Sequence, residues 1–129
     1  MTLETMTPDP DWDPDAHRTA VATLAALDEN DRFLVWGDDG CGDCQERLPP
    51  FAAALEAAGI PEDRVTQYAV ERIPDGSKEG PRVEEYGIGL IPTVVIERDG
   101  EEIVRFEEEE HLPIAEYLAE RLEELEATA

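Results

Sequence analysis

The stretch that decides the fold is RFLVWGDDGCGDC, at residues 32–44. Its four consecutive apolar residues, 33–36, are typical of a strand that is covered on both faces, as in a parallel sheet. A turn then leads to Cys41 and Cys44, the two cysteines of the chain, and an apolar helix pattern follows them. At a helix start, the helix dipole and unpaired backbone N–H groups favour thiolate over thiol. The pair therefore predicts two-electron thiol and disulfide chemistry.

The size and composition of the chain indicate how many domains it forms and in which cellular compartment this chemistry takes place. A chain of 129 residues is expected to form one domain with a real core. The first thirty residues lack the pattern of a signal peptide, and no apolar run is long enough to span a bilayer, so we expect the protein in the cytoplasm. In a reducing cytoplasm, a cysteine pair is more often catalytic or metal-binding than structural.

The charge balance is strongly acidic, with 33 Asp and Glu residues against 10 Lys and Arg residues, a net charge of −23. Such a surface repels nucleic acid and anionic membranes, so we expect neither as a partner. One alternative is an acidic docking surface for a basic partner. The acids are spread along the whole chain, however, and this favours adaptation to a high-salt cytoplasm of a halophilic organism, where screening makes self-repulsion tolerable. The acidic run 107–110 is interpreted as a solvated loop.

Periodicity divides the chain into an arm and one domain. Residues 1–12 are polar and proline-rich and predict a flexible N-terminal arm, and residues 13–129 predict the domain. The predicted elements, in order, are a helix from an Asp13 N-cap to about 29, a strand at 32–37, a helix from Cys41 to about 58, a strand at 65–70, a loop at 73–80, a short helix at 81–86, strands at 93–97 and 102–106 joined by Asp99-Gly100, and a helix opening at Pro113. Four aromatic residues are expected in the core, namely Trp36, Phe51, Tyr68 and Phe106. This order predicts an α/β fold in which a parallel strand pair is extended by an antiparallel hairpin, with helices on both faces.

Three features together resemble the thioredoxin superfamily, from about Arg32 to the C-terminal helix. They are the CGDC motif at 41–44 after a strand, Pro49 five residues after the second cysteine, and YGIGLIPT at 86–93 ahead of the hairpin. The resemblance implies a thioredoxin-like fold with a mixed four-stranded sheet. It also implies that Cys41 is the attacking, more exposed thiolate and Cys44 the buried resolving thiol. Pro92 would follow a cis peptide bond beside the disulfide, and the backbone of Ile91 would pair with an extended substrate segment.

The chain also departs from the pattern of the family. Many thioredoxins have a tryptophan before the first cysteine, where this chain has Gly40, and a buried aspartate at the place that Val35 holds. Asp43 stands before the second cysteine instead of proline. Asp43 is interpreted either as an acid that suits the first turn of a helix or as a proton acceptor for Cys44 that replaces the missing aspartate.

The resemblance and the cysteine pair predict an oxidoreductase that reduces protein or small-molecule disulfides without a cofactor. Its partners would be disulfide-containing proteins and an external thiol reductant, and we expect a monomer. The alternative is a metal or iron–sulfur binding module that uses the same two cysteines, and a redox-inactive binding module is a third option. A zinc site with His17 and His111 is disfavoured because neither histidine has the spacing of a metal ligand, whereas a metal shared between two chains suits the thiolates better.

Overall fold

The computed structural model describes residues 3–72, 78–107 and 112–128. Its helices and strands, in chain order, are α1 (Arg18–Ala25), β1 (Arg32–Gly37), α2 (Gly42–Ala57), β2 (Val65–Ala69), β3 (Glu71–Arg72), β4 (Lys78–Glu79), α3 (Val83–Tyr86), β5 (Thr93–Arg98), β6 (Glu101–Phe106) and α4 (Ile114–Thr128). Short 3-10 turns at Glu4–Met6, Pro14–His17 and Glu62–Arg64 complete the described elements.

The centre of the molecule is a mixed four-stranded sheet in the order β2-β1-β5-β6. β1 and β2 are parallel, and β5 is antiparallel to both β1 and β6. Asp99 and Gly100 link β5 to β6 with φ angles of 54° and 82°, the left-handed turn that Asp-Gly predicts between two strands. The predicted α/β class and the mixed four-stranded sheet are therefore confirmed.

Successive side chains of β1 point to opposite faces of the sheet, so the two faces pack against different helices. Phe33 packs against Phe51 of α2, with ring centroids 6.1 Å apart. Trp36 lies on the opposite face, because it is an odd number of positions away, and its ring is 5.1 Å from that of Tyr86 in α3. α4 packs against both α1 and α2. Helices therefore cover both faces, as predicted.

The core lies mainly between the sheet and the layer of α1, α2 and α4. Of the four aromatic residues expected in the core, Trp36, Phe51 and Phe106 are almost completely buried, and Tyr68 is half-buried against the Trp36 ring. Burying a large apolar side chain stabilises the fold by roughly 1.5–3 kcal/mol. The continuous apolar run of β1 is thus explained by its central place in the sheet.

The first helix is shorter than the sequence predicts. Asp13 caps a 3-10 turn by accepting a hydrogen bond from the Asp15 N–H, at 2.9 Å, and α1 follows only from Arg18. The helix ends at Ala25, because the chain turns at Asp28, whose side chain and carbonyl accept the N–H groups of Asn30 and Asp31. Local turn chemistry therefore replaces the last helical turn that periodicity suggested.

Two further differences concern segments expected to be irregular. Within the predicted loop at 73–80, Lys78–Glu79 forms a small antiparallel pair with Glu71–Arg72, while 73–77 lie outside the described residues. Within residues 3–12, which the sequence predicts as part of a flexible arm, Leu3 and Thr5 are buried, and the Asp9 N–H donates to the Pro49 carbonyl. These residues pack against the domain, and the flexibility of the arm stays a prediction. These contacts join residues far apart in the chain, so the composition of the segment did not indicate them.

Two further questions from the sequence are whether a helix could cross a membrane and how the acidic run 107–110 is arranged. Among the described residues, no helix is long and apolar enough to cross a bilayer. Of the acidic run 107–110, only Glu107 is described, half-exposed and 3.9 Å from Arg105, and the other three lie outside the described residues.

Candidate functional site

The two cysteines lie at the junction between β1 and α2. β1 ends at Gly37, and the Cys41 N–H closes a turn onto the Asp38 carbonyl at 3.0 Å. Cys41 has extended backbone angles and is the N-cap residue of α2, and its carbonyl accepts the first helical hydrogen bond from Gln45. Cys44 lies in the first turn of the helix. Both sulfurs are therefore at the positive end of the helix dipole, where thiolates are stabilised.

The environments of the two sulfurs differ. Cys41 is 7% exposed and Cys44 is 0% exposed, and a hydrogen bond joins the two side chains. Burial raises the pKa of Cys44 to about 12. A hydrogen bond from the Asp38 backbone opposes this shift, while the hydrogen bond and charge of Cys41 and the charge of Asp38 add to it. Cys44 is thus held as a thiol. Both cysteines are buried, and Cys41 is the slightly more exposed of the two.

Asp43 is the residue that the sequence suggested as a proton acceptor for Cys44. Its side chain is on the exposed side of the first turn of α2. The carboxylate that raises the pKa of Cys44 belongs to Asp38 in the preceding turn. Asp38 also accepts the Gly40 N–H at 3.2 Å. A role for Asp43 in proton transfer stays a prediction, and the structure adds Asp38 as an acid that acts on Cys44.

The Ile91–Pro92 peptide bond is cis, as the resemblance to thioredoxins implies. Thr93 is opposite Trp36 in the antiparallel pair of β5 and β1, so Pro92 falls beside the end of β1 that leads to the cysteines. Both Ile91 and Pro92 are buried, and the Thr93 hydroxyl donates to the Leu90 carbonyl at 2.6 Å. The register therefore brings Cys41, Cys44 and the cis-proline loop to one end of the sheet.

Of the two histidines considered as metal ligands, the structure describes His17, whose ring stacking and ion pair do not involve the cysteines. His17 stacks on Trp12, with ring centroids 4.6 Å apart, and its Nδ1 pairs with Glu116. His111 lies outside the described residues. Within residues 3–72, 78–107 and 112–128, no group of three or more His, Cys, Asp or Glu side chains is arranged to hold a metal ion.

A second set of residues near the cysteines was not predicted. Asp39, in the turn before Cys41, accepts three hydrogen bonds from Glu4 and Thr5, and Leu3 lies against Gly37. The side-chain amide of Gln45 donates to the Asp39 carbonyl at 2.8 Å. The sequence offers no periodic signal for these contacts, since a polar segment with one leucine has no pattern to match.

One comparison with a solved structure supports the fold, and the comparisons leave the function open. No protein-family model and no curated protein matches the chain. A solved structure of a protein of unknown function from Pseudomonas aeruginosa is similar, with a TM-score of 0.55 and 16% identity over 90% of this chain and 79% of that one. Mitochondrial thioredoxin 3 from Saccharomyces cerevisiae, in its oxidised form, gives a TM-score of 0.46 and 18% identity over 83% of this chain and 89% of that one. The likeness to the Pseudomonas aeruginosa structure concerns the fold alone.

The class of the molecule follows from its own geometry. A mixed sheet in the order β2-β1-β5-β6, a CxxC motif at the start of α2 and a cis-proline at the start of β5 define a thioredoxin-like fold. The paired sulfurs in this position fit a redox function in general.

Proposed function

We propose that the protein is a thiol–disulfide oxidoreductase that reduces protein or small-molecule disulfides. The observation that carries this proposal is the sulfur pair: Cys41 and Cys44 lie at a helix start, close enough for Cys41 to raise the pKa of Cys44, and Cys41 is the less deeply buried of the two. The electrons reside on the two sulfurs, so the reaction needs no organic cofactor.

Reduction of the substrate takes two exchange steps. The Cys41 thiolate attacks one sulfur of the substrate disulfide, the substrate S–S bond breaks, and the first substrate thiolate leaves and takes a proton from solvent. Cys44 then loses its proton and attacks the Cys41 sulfur of the mixed disulfide. The second substrate thiol departs, and a Cys41–Cys44 disulfide remains. The substrate has gained two electrons, and the protein has lost them.

The second step needs a base that accepts the proton of Cys44, because burial strongly favours the thiol form of this residue. Once Cys41 is bound in the mixed disulfide, its negative charge is gone, and this contribution to the raised pKa of Cys44 disappears. The Asp38 carboxylate and the departing substrate thiolate are then available as bases. We assign the proton to one of these two groups in preference to the exposed Asp43.

Substrate binding is proposed at the cis-proline loop. An extended segment of a protein substrate lies along the backbone of Ile91, next to Pro92, and presents its disulfide to Cys41. Main-chain pairing of this kind accepts many sequences, so the protein would act on several disulfide-containing proteins. We propose that the monomer acts in the cytoplasm, where an external thiol or a reductase returns the Cys41–Cys44 disulfide to the dithiol.

An insulin reduction assay in molar salt tests the proposal, with dithiothreitol as the external reductant. The wild-type protein is expected to accelerate insulin reduction, and both Cys41→Ser and Cys44→Ser should bring the rate close to that of dithiothreitol alone. The Cys44→Ser variant should also accumulate as a mixed disulfide with its substrate, because the second exchange step is blocked. Asp43→Asn is the matched variant at the motif, and it should retain most of the wild-type rate.

Two results would contradict the proposal. One is a wild-type rate equal to that of the Cys41→Ser protein. The other is purified protein that contains stoichiometric metal or an iron–sulfur cluster and loses it with either cysteine variant, which would favour the metal-binding alternative.

A further inference from the structure

Leu3 fills a space beside the resolving cysteine. It is 3% exposed although it lies near the start of the chain. A Cβ atom on Gly37 would lie 3.3 Å from Leu3 Cδ1, 3.1 Å from Leu48 Cδ1 and 3.5 Å from Cys44 Sγ. The three side chains therefore meet where Gly37 has none. Leu3 is the member of this group that comes from outside β1 and α2.

The N-terminal segment, defined here as residues 3–7, is bound to the turn that carries Cys41. The Asp39 carboxylate accepts hydrogen bonds from the Thr5 N–H and hydroxyl, both at 2.9 Å, and from the Glu4 N–H at 3.1 Å. The Leu3 N–H donates to Gln67 Oε1 of β2 at 2.7 Å. Hydrogen bonds to Asp39 and to Gln67 therefore hold Leu3 from both sides.

The hydrogen bonds between Asp39 and the N-terminal segment are favoured at neutral pH, where the carboxyl group is ionised. Burial works to raise the pKa of Asp39, but the hydrogen bonds from the Thr5 and Glu4 backbones and the Thr5 hydroxyl outweigh it and lower the pKa. The carboxylate is therefore ionised, and hydrogen bonds to an ionised acceptor are stronger than neutral ones.

We propose that the N-terminal segment is a positioning element of the redox site, in which Leu3 closes the access to Cys44 and Asp39 with Thr5 holds Leu3 in place. With the segment bound, external disulfides and thiols react at Cys41 and not at Cys44. The inference deepens the proposed function, since it assigns to residues 3–7 the selection of which sulfur meets the substrate. Release of the segment would expose both sulfurs and make the order of attack unselective.

The test measures the reaction of Cys44 with N-ethylmaleimide in full-length protein that carries Cys41→Ser. Adding Leu3→Ala is expected to raise the rate at Cys44 by about tenfold or more, because the shortened side chain opens the space over the sulfur. Leu3→Met, which refills the space, should restore the slow rate. Leu27→Ala is the matched control, since Leu27 also packs against the core but lies before β1, away from the cysteines.

Asp39→Ala tests the binding of the segment without removing apolar volume. It should raise the Cys44 rate and abolish the hydrogen-exchange protection of the Glu4 and Thr5 amides. Asp28→Ala removes the same charge from an exposed turn and should change neither measurement. Circular dichroism confirms that each variant is folded, and Asp39→Ala carries the test if Leu3→Ala does not fold.

An unchanged Cys44 rate in folded Leu3→Ala and Asp39→Ala proteins would overturn the inference, whatever the insulin assay shows. Conversely, a Cys44 rate that responds to these variants, in a protein that fails to reduce insulin, would overturn the proposed function and leave the role of the segment intact.

Discussion

At the scale of single residues, the site depends on the difference between two sulfurs one helical turn apart. Both are buried, but Cys41 is 7% exposed, whereas Cys44 is 0% exposed and burial raises its pKa to about 12. Because burial raises this pKa, Cys44 stays a thiol at a pH where an ordinary thiol is half ionised. The thiolate is the nucleophile, so this difference fixes which sulfur reacts first.

Alkylation of the reduced protein should follow the same difference. Iodoacetamide at pH 9 is expected to modify Cys41 and to leave Cys44 intact, and modification of Cys44 should rise only as the pH approaches 12. Mass spectrometry of the digested protein measures each site separately. Equal modification of both cysteines at pH 9 in folded protein would show that Cys44 is neither buried nor protonated as described.

Asp38 and Asp43 can be distinguished by their effects on Cys44. Asp38→Asn removes a negative charge that raises the pKa of Cys44, so this variant should lower that pKa, whereas Asp43→Asn should change it less. The asparagine keeps an oxygen for the Gly40 N–H. Ultraviolet absorbance of the Cys44 thiolate against pH, in the Cys41→Ser background, provides the measurement. A larger shift from Asp43→Asn would return the proton-acceptor role to Asp43.

At the scale of helices and strands, the elements that the sequence predicts correctly are those marked by a short local pattern. β1, the start of α2 and the β5–β6 hairpin each depend on a short pattern: an apolar run, a strand-to-helix junction, and Asp99-Gly100. The N-terminal segment has no such pattern. Its contacts to Asp39 and Gln67 join positions 34 and 64 apart in the chain, and only the folded sheet brings them together. The cysteine pair was therefore predictable from local patterns and the cis bond before Pro92 from the resemblance to thioredoxins, while Leu3, Thr5, Asp39 and the effect of Asp38 were not.

The hairpin offers a direct test of an element. Gly100 has a φ of 82°, which is costly for any residue with a side chain, so Gly100→Ala should destabilise the protein by about 1–2 kcal/mol. Gly89→Ala is the matched control, since a Cβ there meets nothing within 4 Å and its φ is not in the left-handed region. Urea unfolding measures both. Equal effects of the two variants would mean that the Asp99-Gly100 turn is not formed as described.

At the scale of the whole molecule, the net charge of −23 governs how stability depends on salt. With 33 acids and 10 bases, most carboxylates cannot have a cation of their own, and their mutual repulsion opposes the compact state. Screening shortens the range of this repulsion to roughly 3 Å at 1 M salt. If the protein is adapted to high salt, as the composition predicts, its folded state should be more stable at high salt concentration than in dilute buffer.

The thermal unfolding midpoint should rise by several degrees, roughly 3–6 °C per kcal/mol gained, between dilute buffer and molar KCl. Differential scanning calorimetry of the reduced protein provides the measurement. Glycerol at matched osmolality is the control for effects that do not depend on charge. A midpoint that stays constant or falls in KCl would contradict adaptation to salt and favour the alternative, an acidic surface kept for a basic partner.

The exchange of two electrons between the sulfur pair and a substrate disulfide is tested most directly by one stoichiometric reaction. Reduced protein is mixed with excess oxidised glutathione, and the glutathione thiols released and the mass of the protein are measured together. Two thiols per protein are expected, with a protein lighter by two hydrogens, and Cys44→Ser should release one thiol and retain one glutathione. Wild-type protein that releases no thiol, or that keeps a stable glutathione adduct, would contradict the account.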